Sequence, residues 1–459
     1  MALSAFARRV HGSGCSPTTE GFGRGPAARC RLMRITVGLV DALSAAAQAV
    51  LRLERPADAV LAGFFRANPR LGQHDRAFVA ETLYALLRRK RLVELAVAQT
   101  GLTRPGGRAL ALAAAVRVRN LNVRELADGV SPAEAQWLEA VKGAARGPLP
   151  FAVECDLPDW VIARLVPVLG EHALARLASA LNQPAPLDLR VNASKGRRAQ
   201  VAAQFGAGGI GARPTPYSPL GLRLEGKPAL SRHPLFTSGA IEVQDEGSQL
   251  LCSLLAPRRG EMVVDFCAGA GGKTLALGDA MRSTGRLYAF DVSEKRLAQL
   301  RPRLARSGLS NVHPQRIGSE RDARVKRLSG KIDRVLVDAP CTGLGTLRRN
   351  PDLKWRQDEA ALGELVRKQA AILSAAAGLV KPGGRLLYAT CSILPEENEA
   401  IVQGFLAGSS EFALVPTRPA LEASGITLPA AEPDDAFLRL RPDVHGTDAF
   451  FAALMERGA

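Results

Sequence analysis

From residue 241 onward, short aliphatic runs alternate with helical stretches, and this alternation limits the chain to very few architectures. The runs are Met262-Val263-Val264-Asp265, Leu287-Tyr288-Ala289-Phe290-Asp291, Val335-Leu336-Val337-Asp338 and Leu386-Leu387-Tyr388-Ala389. Helical periodicity fills about 273–282, 294–306 and 360–380 between them. Four strand-like runs separated by helices predict βαβ units and a mostly parallel sheet, an α/β domain of the Rossmann type, with ligands bound beyond the strand C-termini. Polar and reactive residues cluster just past those ends.

The rest of the 459-residue chain divides by composition. Residues 1–33 are Arg-rich with no apolar signal core, and read either as an organelle-type presequence or as sequence preceding a true start at Met33. Residues 34–150 are predicted all-α: Val40, Leu43, Ala47, Val50 and Leu51, then Phe78, Val79, Leu83, Leu86 and Leu87, recur at helical spacing. Within them Arg88-Arg89-Lys90-Arg91 is either a solvated face or a phosphate contact. Gly143 to Pro150 has linker composition. Residues 151–240 predict a small α+β subdomain, with a helix over about 158–181, a strand at Leu187–Val191 and a helix near 199–205; residues 241–459 form the α/β domain.

No run of about 18 apolar residues is present, so no membrane association is expected. Lys and Arg exceed Asp and Glu by 61 to 44, which favours a polyanionic partner unless the whole proteome is basic. Seven cysteines with no C-x-x-C pair fit neither a disulfide framework nor a zinc site, and place the chain in a reducing, cytoplasmic setting with no metal.

Past the first strand lies Cys267-Ala268-Gly269-Ala270-Gly271-Gly272-Lys273-Thr274. Its glycines permit a sharp turn and close ligand approach, and the helix that follows offers free N–H groups. Nineteen residues after Gly272, Asp291 ends the next strand, where a carboxylate accepts hydrogen bonds from ribose hydroxyls. A Walker A loop is excluded because Cys267 stands where its first glycine belongs, and strict G-x-G-x-x-G fails at Thr274. An adenosine-bearing cofactor remains.

Two cysteines then suggest the chemistry. Cys155 and Cys252 read as inert small hydrophobes, but Cys341 in Asp338-Ala339-Pro340-Cys341 and Cys391 in Thr390-Cys391-Ser392 both follow strands whose ends ring one crevice. Carbon 5 of cytosine is too weak a nucleophile to accept a methyl group unaided; a thiolate must first add at carbon 6. The later steps need a group that hydrogen-bonds the ring and a base for elimination. Asp338, Cys341 and Cys391 supply one such set.

These blocks, with Arg349-Asn350-Pro351-Asp352, Glu396-Glu397-Asn398-Glu399, Gln244 to Gln249 and Gly446 to Phe451, resemble the Sun/NOP family of RNA cytosine-5 methyltransferases, and within it the bacterial RsmB-like branch acting on 16S ribosomal RNA. Leu71 to Phe78 resembles that branch's NusB-like RNA-binding domain, so the likeness spans about residues 34 to 457. It implies that Cys391 is the nucleophile, that Cys341 assists release, and that Asp338 with Lys273 orients the base. It also implies that residues 267–273, Asp291, Ser319 and Asp338 enclose S-adenosylmethionine, and that Arg190 and Arg349 contact RNA, a core-flanking salt bridge being the alternative for Arg190.

DNA enzymes attack from Pro-Cys, so the presence of both motifs favours RNA over DNA; a monomer is expected. Two departures stand out. Ala268-Gly269-Ala270 replaces the family's Ala-Ala-Pro, and Arg316 to Glu320 lacks the acid expected near the adenine, leaving Ser319 in its place. The alternative function is a catalytically silent RNA-binding assembly factor on the same fold.

Overall fold

The structure, a computed structural model, describes residues 34–429 and 436–459; the expectations for residues 1–33 lie outside it. Two compact units result: residues up to Asp156 together with Lys227–Ala229, and residues 157–226 with 230–459.

The first unit is helical, with no strand among its described residues. Its helices Val37–Val50, Ala57–Ala67, Gln73–Arg88, Lys90–Ala98 and Pro132–Gly143 surround Gly107–Arg117, in which every residue from Leu110 to Val116 is buried. A helix apolar on all sides belongs at the centre of a bundle. Gly107 lets it approach the first helix, since a Cβ there would lie 3.0 Å from the backbone N of Gln48.

The basic turn is partly spent inside this unit: Arg89 pairs with the buried Asp156 at 3.3 Å and Lys90 with Glu94 at 2.6 Å. Asp156 also accepts from the backbone N of Arg91 at 2.9 Å. This anchoring moves the boundary expected at 150 to Asp156, because the short helix Phe151–Cys155 and the left-handed Asp156 (φ 52°) still belong to the bundle.

The second unit holds two sheets. The smaller consists of β1 (Leu187–Val191), β2 (Ala212–Pro214), β3 (Gly221–Leu224) and β4 (Ile241–Val243), antiparallel in the order β2-β3-β1-β4. The larger consists of β5 (Met262–Asp265), β6 (Arg286–Asp291), β7 (Val312–Arg316), β8 (Ile332–Asp338), β9 (Val380–Thr390), β10 (Phe412–Val415), β11 (Phe437–Leu440) and β12 (Phe450–Arg457). Its order is β10-β12-β9-β8-β5-β6-β7, with β11 also pairing β12. The neighbours from β9 to β7 run parallel, while β12 enters antiparallel against β9. All four predicted strands are present and buried on both faces, as a helix-covered parallel sheet requires.

Two expectations need correction. The single helix over 158–181 is two, Asp159–Leu169 and Glu171–Leu181, broken at Gly170, whose φ 74° and ψ 157° no helix accommodates. The second concerns the bound at 151: the segment from 157 packs in one compact unit with the larger domain, to which its small sheet is joined through buried ion pairs. Glu242 on β4 receives Arg303 at 2.9 Å and Arg306 at 2.5 Å, both from the helix Glu294–Ser307.

Candidate active site

Strand order reverses between β5 and β8, the point where an open α/β sheet leaves a crevice at its C-terminal edge. Parallel register brings the critical ends together: Asp265 of β5 lies beside Leu336 of β8 and Ala289 of β6, and Asp338 of β8 beside Ala389 of β9. Chain segments leaving these four ends therefore share one rim.

The glycine turn forms the first wall. Cys267 is half-buried, its thiol raised well above the ordinary range by burial and the surrounding carboxylates, so it is an inert filler. Ala268 is buried and donates its N–H to the Phe290 carbonyl at 2.8 Å; the Ala270 carbonyl accepts from Arg303 at 2.7 Å. Gly269 (φ 56°) and Gly271 (φ 82°) occupy left-handed conformations, and the helix Gly272–Ala280 starts directly after them.

Asp291 accepts the Gly269 N–H at 2.8 Å and the Ser293 N–H at 2.7 Å, which fixes its carboxylate while leaving lone pairs for a diol. Asp265 beneath the turn accepts from Thr274 at 2.6 Å through Oδ2, but its buried Oδ1 has no hydrogen-bond partner. Burial pushes its carboxyl up to about 7 despite the Thr274 bond.

An S-adenosylmethionine-type ligand fits this cradle. Close-approach glycines, helix N–H groups, a fixed diol acceptor and one unsatisfied buried oxygen are the donor and acceptor set that such a molecule needs. A Cβ at Gly271 would meet Leu300 Cδ1 at 2.1 Å in addition to the strained φ. Gly271→Ala is accordingly expected to cost about 1–3 kcal/mol of stability and to weaken binding of the demethylated cofactor in calorimetry; unchanged affinity would remove the turn from the binding site.

The candidate reactive groups stand next to this turn. Lys273 Nζ lies 2.7 Å from Asp338 Oδ2 and 5.4 Å from the centre of the Phe450 ring. Burial alone would lower the Lys273 pKa, but the charge and hydrogen bond of Asp338 outweigh it and the net direction is upward. The ammonium is thus kept charged.

Cys341 Sγ and Cys391 Sγ are 3.4 Å apart, both half-buried. Cys341 is held well above the usual thiol range by its hydrogen bond to Cys391, by burial, and by the nearby Glu397 carboxylate. Cys341 therefore keeps its proton. The structure brings Lys273 to Asp338 and Cys341 to Cys391, two pairs at neighbouring strand ends.

Two predicted RNA contacts, Arg190 and Arg349, are engaged inside the fold. Arg190 is 3% exposed, donates to Gln244 at 2.8 Å and lies 3.5 Å from Asp279 of the helix Gly272–Ala280, so it is the core-flanking salt bridge named as its alternative, buried away from solvent. Breaking such a pair leaves a charge uncompensated: Arg190→Ala is expected to cost about 3–5 kcal/mol in denaturant melts while leaving the RNA affinity of the folded fraction unchanged. Arg349 is bound by Asp448 at 2.5 Å and Asp245 at 2.9 Å, which hold its guanidinium far above the ordinary range against its burial. It braces the fold.

Ser319 accepts from the Arg321 N–H at 3.2 Å, while a cleft of about 520 Å³ beside it is lined by Gln315, Arg316, Ile317, Gly318, Asp322 and Arg324. Asp322, three residues further on, is the acid at that strand end, and it caps the turn by accepting from Gly318 at 2.8 Å. Asp265, Arg296 and Glu397 went unassigned from sequence. Arg296 overlies Gly269 and sits 3.7 Å from Asp291. Glu397, inside its Glu-Glu-Asn motif, and Asp265, the acid that ends a predicted strand, carried signals that could have been followed.

Known proteins resemble this chain in sequence and fold. The family described as 16S rRNA methyltransferase RsmB/F matches residues 252–456, and the RsmF/B-like ferredoxin-like domain matches 157–231. A probable ribosomal RNA small subunit methyltransferase B from Synechocystis is 31% identical over 84% of this chain and 92% of its own length. The Salmonella arizonae ribosomal RNA small subunit methyltransferase B is 36% identical over 61% of this chain, which spans 64% of that relative. A methyltransferase homologue from Pyrococcus horikoshii superposes with a TM-score of 0.57 at 31% identity, covering 67% of this chain and 97% of its own. The chain therefore belongs to the 16S rRNA methyltransferase RsmB/F family, with S-adenosylmethionine as its cofactor.

Proposed function

We propose that the protein methylates carbon 5 of a cytosine in 16S ribosomal RNA through a covalent bond between Cys391 and carbon 6 of the ring. The observation that carries this reading is the 3.4 Å pair of sulfurs at the ends of two adjacent parallel strands, beside the Lys273–Asp338 pair. Bound S-adenosylmethionine supplies the electrophilic methyl.

The rest is the chain's own work. Cys391 Sγ bonds to carbon 6, and the electron pair of the 5,6 double bond shifts toward the ring's N3 edge. Asp338, held in place by Lys273, is set to accept a hydrogen bond from the ring's 4-amino group, and the Lys273 ammonium beside it is the donor for charge that develops toward N3. Carbon 5 then takes the methyl, its proton leaves to a base, and the S–C bond breaks to restore the double bond. Cys341, kept as a thiol beside Cys391, is suited to the release step.

In this reading the helical unit is a NusB-like RNA-binding module and the small sheet presents RNA to the rim. The enzyme works as a cytoplasmic monomer on RNA and not on DNA, and Ser319 or the neighbouring Asp322 meets the adenine. Labelled donor added to full-length protein and unmodified small-subunit RNA tests it: label retained in acid-precipitable RNA, and mapped by bisulfite sequencing to one cytosine, is expected. No label on RNA or on small subunits would leave the catalytically silent assembly factor.

A further inference from the structure

The buried carboxylate of Glu397 belongs to none of the steps above, yet it touches both loops that carry a sulfur. Its Oε1 accepts from the Thr342 N–H at 2.8 Å and from Gln369 Nε2 at 2.9 Å; its Oε2 accepts from the Thr342 hydroxyl at 2.5 Å and from the Ser392 hydroxyl. Thr342 follows Cys341 directly and Ser392 follows Cys391. Glu397, Thr342 and Gln369 have no solvent exposure. Asn398 completes the grip on the second loop, accepting from Thr390 at 2.5 Å and donating to the Ser392 carbonyl at 3.2 Å.

We infer that Glu397 is a positioning residue, a carboxylate clamp that joins the Cys341 loop to the Cys391 loop and sets the distance between the two sulfurs. This rests on the proposed cysteine chemistry for its catalytic meaning, but the geometric claim stands alone. A packing role would be served by an amide, since burying a charge costs free energy unless it is paired, and no Lys or Arg pairs with Glu397 among the described residues. Four donors converge on its two oxygens, which an ionised, acceptor-only group satisfies best. Its negative charge also adds to the effects that keep Cys341 protonated beside Cys391. One group thus holds the sulfurs in reach of each other and helps keep Cys341 a thiol.

Two readouts on full-length Glu397→Gln and Thr342→Val, with wild type alongside, test the clamp. The first needs no turnover: diamide cross-linking, in which both thiol hydrogens pass to the N=N bond of the reagent as one S–S bond forms. Wild type should form the Cys341–Cys391 disulfide quickly, as mapped by mass spectrometry, and both variants on the order of ten times more slowly. The second is steady-state methylation, where kcat should fall on the order of 100-fold for Glu397→Gln with KM for RNA and affinity for the demethylated cofactor nearly unchanged. Thr342→Val should fall less, and the double variant no further than Glu397→Gln.

Wild-type cross-linking rate and kcat in Glu397→Gln would overturn the proposal, as would a loss shared equally by cofactor affinity. If Glu397→Gln does not fold, Thr342→Val, which loses one hydroxyl, decides on the same two readouts. If wild type labels no RNA, the proposed function falls while the cross-linking rates still decide whether Glu397 sets the sulfur spacing.

Discussion

Cys391→Ala is expected to abolish methyl transfer, whereas Cys341→Ala is expected to leave the protein covalently attached to its RNA. The two sulfurs are neighbours, so the contrast does not come from access to the base. It comes from surroundings: Cys341 hydrogen-bonds Cys391 and sits near the Glu397 carboxylate, which keeps it a thiol, while the charged Lys273–Asp338 pair stands near the Cys391 loop. Without Cys391 no bond forms at carbon 6 and carbon 5 stays unreactive, so the rate should drop by a factor on the order of 10⁴ or more. Without Cys341 the first bond still forms, and release slows. The adduct would appear as a slow-migrating, RNase-sensitive band on a denaturing gel for Cys341→Ala and be absent for Cys391→Ala. The opposite pattern would exchange the two roles.

Much of this arrangement was legible because strand ends are local features. Asp338 to Cys341 and Thr390 to Ser392 announce themselves as reactive residues after apolar runs, and parallel pairing of β8 with β9 then brings the two loops together with no further information. What stayed hidden depends on burial and on partners distant in sequence. Arg190 looks like any cation on a short strand until Asp279, 89 residues later, and Gln244 close over it. Arg349 likewise stands in a family motif, and only the fold reveals Asp245 and Asp448 around it. The break at Gly170 was available from Pro167 and Gly170 themselves, but the apolar spacing on either side suggested one helix. The clamp by Glu397 joins positions 342, 369, 392 and 397, a set that no spacing rule connects.

The same dependence on partners makes Asp338→Asn the second large effect expected. Lys273 is the counterion of Asp338 at 2.7 Å, and their side chains are 10% and 31% exposed. Replacing the carboxylate by an amide keeps shape and one acceptor, but leaves the ammonium beside Phe450 without its charge partner. Because Asp338 is partly solvated, the loss of folding stability should be modest, about 1 kcal/mol. The chemical step should suffer far more: Asp338 orients the ring and fixes the Lys273 ammonium that faces the developing charge, and losing such a preorganised arrangement costs on the order of 10²–10³ in kcat. The two consequences separate in a Cys341→Ala background, where the adduct accumulates. If Asp338 orients and stabilises the base, Asp338→Asn should suppress adduct formation in single-turnover experiments while affinity for the demethylated cofactor stays near wild type. If adduct forms at the parental rate and cofactor affinity collapses, Asp338 belongs to the cofactor wall alone, and another group must hold the ring.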